Sequence, residues 1–83
     1  FAQQPGELTF PINLENLNGG FVVSDKEVKN SIKVLAEHLK IIVEPGGAVA
    51  ATAALTNKIN LKNKTVIVII SGGNIDFDMF VNL

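Results

Sequence analysis

The stretch Thr65-Val66-Ile67-Val68-Ile69-Ile70-Ser71-Gly72-Gly73-Asn74 decides how the fold is read. Aliphatic residues follow one another from Val66 to Ile70 with no polar alternation. That is the pattern of a strand covered on both faces by helices, as in the parallel sheets of α/β proteins. The run is far too short to span a bilayer. Ser71-Gly72-Gly73-Asn74 ends it. In parallel α/β sheets, ligands bind just beyond the carboxyl ends of strands. Two glycines allow a close approach to the backbone, and a serine hydroxyl supplies one directed hydrogen bond. The same four residues equally make a strand-to-helix turn that needs glycine and nothing more. No Lys-Ser/Thr pair follows the glycines, so this is not a phosphate P-loop.

Upstream, Pro5-Gly6 marks a turn and Glu7 to Leu17 reads as a short helix with Pro11 near its first turn. Asn18-Gly19-Gly20 closes it, and Phe21-Val22-Val23 reads as a short strand. Ser24 followed three residues later by Glu27 is a capping box at a helix start. That helix runs to about Leu39, with Val28, Ile32, Leu35, Ala36 and Leu39 on one face and an i, i+4 pair of Lys33 with Glu37 on the other. Ile41-Ile42-Val43 is a β-branched run. Glu44-Pro45-Gly46-Gly47 opens an Ala-rich helix, Ala48 to about Thr56, whose small side chains let another backbone come close. Asn57 to Lys64 is a polar loop, and Asp76 caps a last helix, Phe77 to Val81. Helix and strand alternate, so the expected class is α/β: a partial parallel-sheet domain with helices flanking two or three short strands.

The whole chain is 83 residues, 47% hydrophobic and 18% charged. It reads as a single fragment, residues 1–83, too apolar for disorder and rich in apolar residues for so small an interior. The surplus implies a partner: a missing part of the same protein, or self-association into an oligomer. The start, Phe1-Ala2-Gln3-Gln4, is neither an initiator methionine nor a signal peptide, as in a chain cut from something longer. A net charge of −1 gives nucleic-acid binding no electrostatic support. Cysteine is absent, so disulfides and thiolate metal sites are excluded, and a cytoplasmic place fits. No membrane partner is expected.

Glu44 is the second chemical candidate. A carboxylate beside a helix N-terminus can accept backbone N–H bonds, and a purely structural cap explains it equally. His38 sits near the C-terminal end of a helix, where a cation suits the dipole. Asp76 and Asp78 read as helix-start residues, and Lys58, Lys62 and Lys64 as solvated. These residues give neither a nucleophile–base pair nor a metal cluster.

In order along the chain, Gly6-Glu7-Leu8-Thr9-Phe10-Pro11, Val23-Ser24-Asp25-Lys26-Glu27-Val28, Val43-Glu44-Pro45-Gly46-Gly47-Ala48 and the final Ser71-Gly72-Gly73-Asn74-Ile75-Asp76 resemble the closing motifs of one family. It is the fold-type-II, pyridoxal-phosphate-dependent threonine/serine dehydratases and serine racemases. The resemblance covers nearly the whole chain and accounts for Pro11. Cysteine synthases and tryptophan synthase β chains share the fold but are not known for the Ser-Gly-Gly-Asn ending. The resemblance therefore implies elimination from a 3-hydroxy amino acid, or racemisation, rather than β-replacement.

What the resemblance implies further is a pyridoxal 5'-phosphate site in the intact enzyme. The serine matching Ser71 bonds the cofactor's pyridine nitrogen, and Gly72, Gly73 and Glu44 line or support that end of the pocket. The family's Schiff-base lysine, substrate-carboxylate loop, phosphate loop and divalent-cation site lie upstream and have no match here. Nor does a C-terminal regulatory domain. The expectation is thus the C-terminal piece of an ammonia-lyase acting on L-threonine, L-serine or a similar amino acid, inactive alone. A racemase fragment, or a non-catalytic remnant of a split gene serving as an interaction module, stand as alternatives.

Overall fold

The computed structural model describes Gln4 and residues 6–83. The opening Phe1-Ala2-Gln3 and the proline of the expected Pro5-Gly6 turn lie outside the described residues. Within them the chain forms α1 (Thr9–Asn16), α2 (Asp25–Leu39), α3 (Pro45–Leu55) and α4 (Phe77–Val81).

The capping box builds α2. The Ser24 hydroxyl accepts the Glu27 N–H at 3.1 Å, and the Glu27 carboxylate accepts the Ser24 N–H at 2.9 Å. Two N–H groups that a helix start leaves unpaired are thereby satisfied. At the other end Lys40 turns left-handed, φ 60°, and its N–H bonds the Ala36 carbonyl. Val28, Ser31, Ile32 and Leu35 are buried, but Leu39 is 61% exposed, so the apolar face stops a turn short of the expected end. The expected Lys33–Glu37 pair does not form. The ion pair among the described residues joins Glu27 to Lys58 at 3.0 Å, tying the loop after α3 to the start of α2.

Helix α3 begins three residues before the expected Ala48, because Pro45 occupies its first position. A proline there lacks only an N–H that has no partner in any helix, and its fixed φ suits the helix. Gly47, Ala48, Ala51 and Thr52 are buried, and α3 packs against α2. The Thr52 hydroxyl is fully buried and donates to the Ala48 carbonyl at 2.8 Å. Val43 completes the core, with Val23, Ile41, Val68, Phe80 and Leu83 partly buried against it.

The expected parallel sheet is absent: among the described residues no strand forms, and the chain is helical with irregular connections. Phe21–Val23, Ile41–Val43 and Thr65–Ile70 have strand composition, but a sheet requires repeated bonds between neighbouring backbones. Here Glu44 N–H donates to the Gly72 carbonyl at 3.0 Å, and no second backbone bond extends that contact into a ladder. Val66–Ile70 makes no backbone hydrogen bond to any described residue. Composition marks which segments could pair; only a neighbour at the right distance and register makes a strand of them.

Much apolar surface stays uncovered. Helix α1 buries none of its residues and has no helical neighbour, and α4 meets the core through the half-buried Phe80. Leu8, Val22, Ile67 and Phe77 are each more than 70% exposed. The accessible surface is 6828 Å², against about 4,800 Å² for a folded monomer of this mass. The radius of gyration is 14.2 Å, where a compact domain of this length gives about 12 Å. No described helix is long and apolar enough to cross a membrane.

Candidate functional site

The site grows from two glycine pairs. Gly46-Gly47 lies in the first turn of α3, and Gly72-Gly73 follows the apolar run. A Cβ on Gly47 would lie 2.6 Å from the Gly72 carbonyl oxygen and 2.8 Å from its nitrogen. A Cβ on Gly73 would lie 2.5 Å from the Ile42 carbonyl oxygen. Ordinary contacts between non-bonded heavy atoms are about 3.5 Å or more, so only glycine fits at either position. The start of α3, the segment Ile42–Glu44 and the turn Ser71–Gly73 are therefore pressed backbone to backbone.

Glu44 joins all three. Its N–H bonds the Gly72 carbonyl at 3.0 Å, and its own carbonyl accepts Ala48 N–H at 3.1 Å as α3 begins. Its carboxylate does not cap the helix, contrary to the cap reading: no side-chain bond to α3 forms. The carboxylate lies instead over Gly72, in the space a Cβ there would fill. Beyond the turn, Ile75 N–H bonds the Gly73 carbonyl at 2.9 Å and redirects the chain into α4.

The structure brings Glu44, Gly72 and Gly73 into contact, with Ser71 next in the chain. Ser71 is exposed and Glu44 half-buried. Neither side chain makes a hydrogen bond among the described residues. A hydroxyl and a carboxylate from two segments thus flank a turn too tight for side chains. The Ser71 hydroxyl can give one directed hydrogen bond to a polar group lying against that turn. Surface cavities of about 230 to 440 Å³ elsewhere are lined by other residues.

The remaining candidates stay apart from chemistry. All seven lysines are exposed. His38 is exposed in the last turn of α2, and Asp76 precedes α4 without a side-chain cap bond. No group of metal-ligating side chains occurs among the described residues. Sequence reasoning missed two features. Gly47 was one of a pair in a motif, and the signal for its contact was only the recurrence of Gly-Gly at 46–47 and 72–73. Lys58, taken as solvated, pairs with Glu27; a partner 31 residues away leaves no local trace.

Glu27 has a perturbed acidity. Its carboxyl is held below the ordinary carboxylate value, chiefly by the Ser24 backbone N–H and then by the bond to the Lys58 ammonium. Desolvation opposes the shift without reversing it. This belongs to the scaffold, at the start of α2.

No family model matches the chain. Individual relatives do. It is 40% identical over 81 residues to a serine racemase of Schizosaccharomyces pombe, a match covering 98% of this chain and 25% of that protein. It is 39% identical over 78 residues to an L-threonine ammonia-lyase of Thermotoga maritima, covering 94% of this chain and 19% of the relative. An L-threo-3-hydroxyaspartate ammonia-lyase of Saccharomyces cerevisiae is 40% identical over 82 residues, covering 99% of this chain and 25% of the relative. The chain thus spans a quarter or less of the length of these relatives. Such similarity along nearly all of its residues places the chain in the serine racemase and L-threonine ammonia-lyase family, as a C-terminal segment of it.

Proposed function

We propose that the protein to which residues 1–83 belong is a pyridoxal-phosphate-dependent ammonia-lyase removing water and ammonia from L-threonine, L-serine or a similar 3-hydroxy amino acid. These residues then form the C-terminal part of its catalytic domain. One observation carries the reading: in a chain with such relatives, the Ser71 and Glu44 side chains make no hydrogen bond among the described residues and lie at a glycine-locked turn. When bound, the cofactor supplies an electron sink for the charge left by the departing α-proton. Ser71 donates its hydroxyl hydrogen to the ring nitrogen and so fixes the ring's position. Gly72 and Gly73 let the backbone approach, and Glu44 holds that turn against α3 through its N–H.

The segment alone is inactive in this reading, because no lysine here matches the one that binds the cofactor covalently. The rest of the enzyme covers the exposed apolar side chains of α1 and Val66–Ile70. The three relatives above differ in named activity, and the serine racemase among them makes racemisation the second reading.

The test compares the full-length enzyme with its Ser71→Ala variant. L-serine and L-threonine are supplied, released ammonia and oxo acid are measured, and the recovered amino acid is checked for inversion. An unpaired buried acceptor costs about 1–3 kcal/mol, which is a rate loss of roughly tenfold to a hundredfold if it falls on the transition state. Full activity and full cofactor occupancy in Ser71→Ala would reduce Ser71 to a turn residue. Inversion without ammonia release would move the assignment to a racemase. For residues 1–83 alone, borohydride reduction with pyridoxal phosphate and peptide mapping should find no stoichiometric labelling of one lysine. Such labelling together with turnover would sink the claim that the segment is inactive.

A further inference from the structure

We propose that Asn18 is a self-modifying site, converting spontaneously to aspartate and isoaspartate through its bond to Gly19. The dipeptide Asn18-Gly19 lies between α1 and α2 in a segment without regular structure, and both residues are exposed. No hydrogen bond to a described residue holds Asn18, Gly19 or Gly20. The backbone nitrogen of Gly19 is therefore free to approach the side-chain carbonyl carbon of Asn18. Glycine places no side chain in the way of that approach.

In the reaction the Gly19 nitrogen bonds to Cγ of Asn18, and the bond from Cγ to Nδ2 breaks. The Gly19 amide proton leaves with Nδ2 as ammonia, and a cyclic imide remains. Water then opens the imide at either of its carbonyls. Opening at the Asn18 side-chain carbonyl restores an ordinary backbone as aspartate; opening at the main-chain carbonyl leaves isoaspartate. Overall one water enters and one ammonia leaves, with no oxidant or reductant.

The chain's other asparagines are less suited. Asn13, Asn16 and Asn30 lie within helices. Asn16 and Asn82 donate side-chain hydrogen bonds to the Ile12 and Asp78 carbonyls, each at 2.7 Å, and Asn60 accepts from Lys62 N–H at 3.1 Å. Asn57, Asn63 and Asn74 are followed by Lys, Lys and Ile, whose side chains hinder the attacking nitrogen. The change at Asn18 also has a place to act. With Gly19 it lines a cavity of about 440 Å³ whose apolar wall is Phe10, Leu14 and Leu17. Conversion sets a carboxylate at that apolar rim, where the structure has a neutral amide.

The clean control is Gly19→Ala. No atom lies within 4 Å of a Cβ built there, and no glycine of the described residues needs a positive φ, so the substitution leaves the local structure intact. The 83-residue chain is incubated in mildly alkaline buffer, cleaved after lysine and sequenced by mass spectrometry at intervals. The expected result is the small mass gain of carboxyl over amide, localised to Asn18, in two chromatographically distinct products. One product matches the peptide from Asn18→Asp. Gly19→Ala should slow the conversion several-fold. Conversion spread evenly over the asparagines, none at Asn18, or an unchanged rate in Gly19→Ala would overturn the proposal.

Discussion

Gly46 and Gly47 are adjacent, yet alanine should act in opposite directions at the two positions. At Gly46 a Cβ meets nothing within 4 Å and the residue is exposed in the first turn of α3. Alanine there restricts the unfolded chain and favours the helix, for a gain of about 0.5–1 kcal/mol. At Gly47 the same Cβ would sit 2.6 Å from the Gly72 carbonyl oxygen. To restore normal contact, α3 and the glycine turn must part by roughly 1 Å. Overpacking of this kind costs about 1–3 kcal/mol. The movement also stretches the Glu44–Gly72 hydrogen bond, worth about 1 kcal/mol. Set against the helix gain, Gly47→Ala should destabilise by roughly 1–3 kcal/mol. Urea unfolding followed by far-ultraviolet ellipticity, in a sulfate buffer that strengthens apolar burial, reads both variants. A Gly47→Ala chain as stable as the parent would refute the backbone-to-backbone junction from which the site is built.

Ile32 is fully buried at the α2–α3 contact, so Ile32→Ala should cost about 2–5 kcal/mol; with so few core residues, loss of helical ellipticity at ambient temperature is the expected readout. Glu27 ties α2's start to pH. Because its folded-state acidity lies below the ordinary value, its contribution is present above the unfolded-state pKa and is lost as pH falls through the folded-state one. Acid titration of helical ellipticity should show this loss, and Glu27→Gln should flatten it; an unchanged profile would mean the capping box and Lys58 do not govern α2's start. Sedimentation of the isolated chain should show association that grows with concentration, given its uncovered apolar side chains. A monomer that persists at high concentration would count against a covering partner.

Legibility followed range. The α2 start was readable because Ser24 and Glu27 satisfy each other within one turn, and a local rule needs no tertiary knowledge. Helix α3 starts at Pro45 rather than Ala48 because proline's missing N–H makes it a good first residue, so the opening motif is itself helical. The sheet was misread for a nonlocal reason. Val66–Ile70 has the right composition, but composition cannot supply the neighbouring backbone that pairing requires. Ser71, Gly72, Gly73 and Glu44 are candidates by type and order alone. That Gly47 presses on Gly72, and that Glu44 lies over the turn rather than capping α3, depend on segments meeting across 25 or more residues of chain.

Helix α1 has eight residues, no buried side chain and no helical neighbour. Isolated helices shorter than about 12–15 residues are marginal in water. Its amides, Asn13 and Asn16 included, should therefore exchange with solvent deuterium nearly as fast as those of a free peptide, while those of α2 around Ile32 lag behind. Any surface that docks on Leu8, Ile12 and Leu14 would slow that exchange selectively. The helix that contributes least to holding this chain together is then its most sensitive label for assembly.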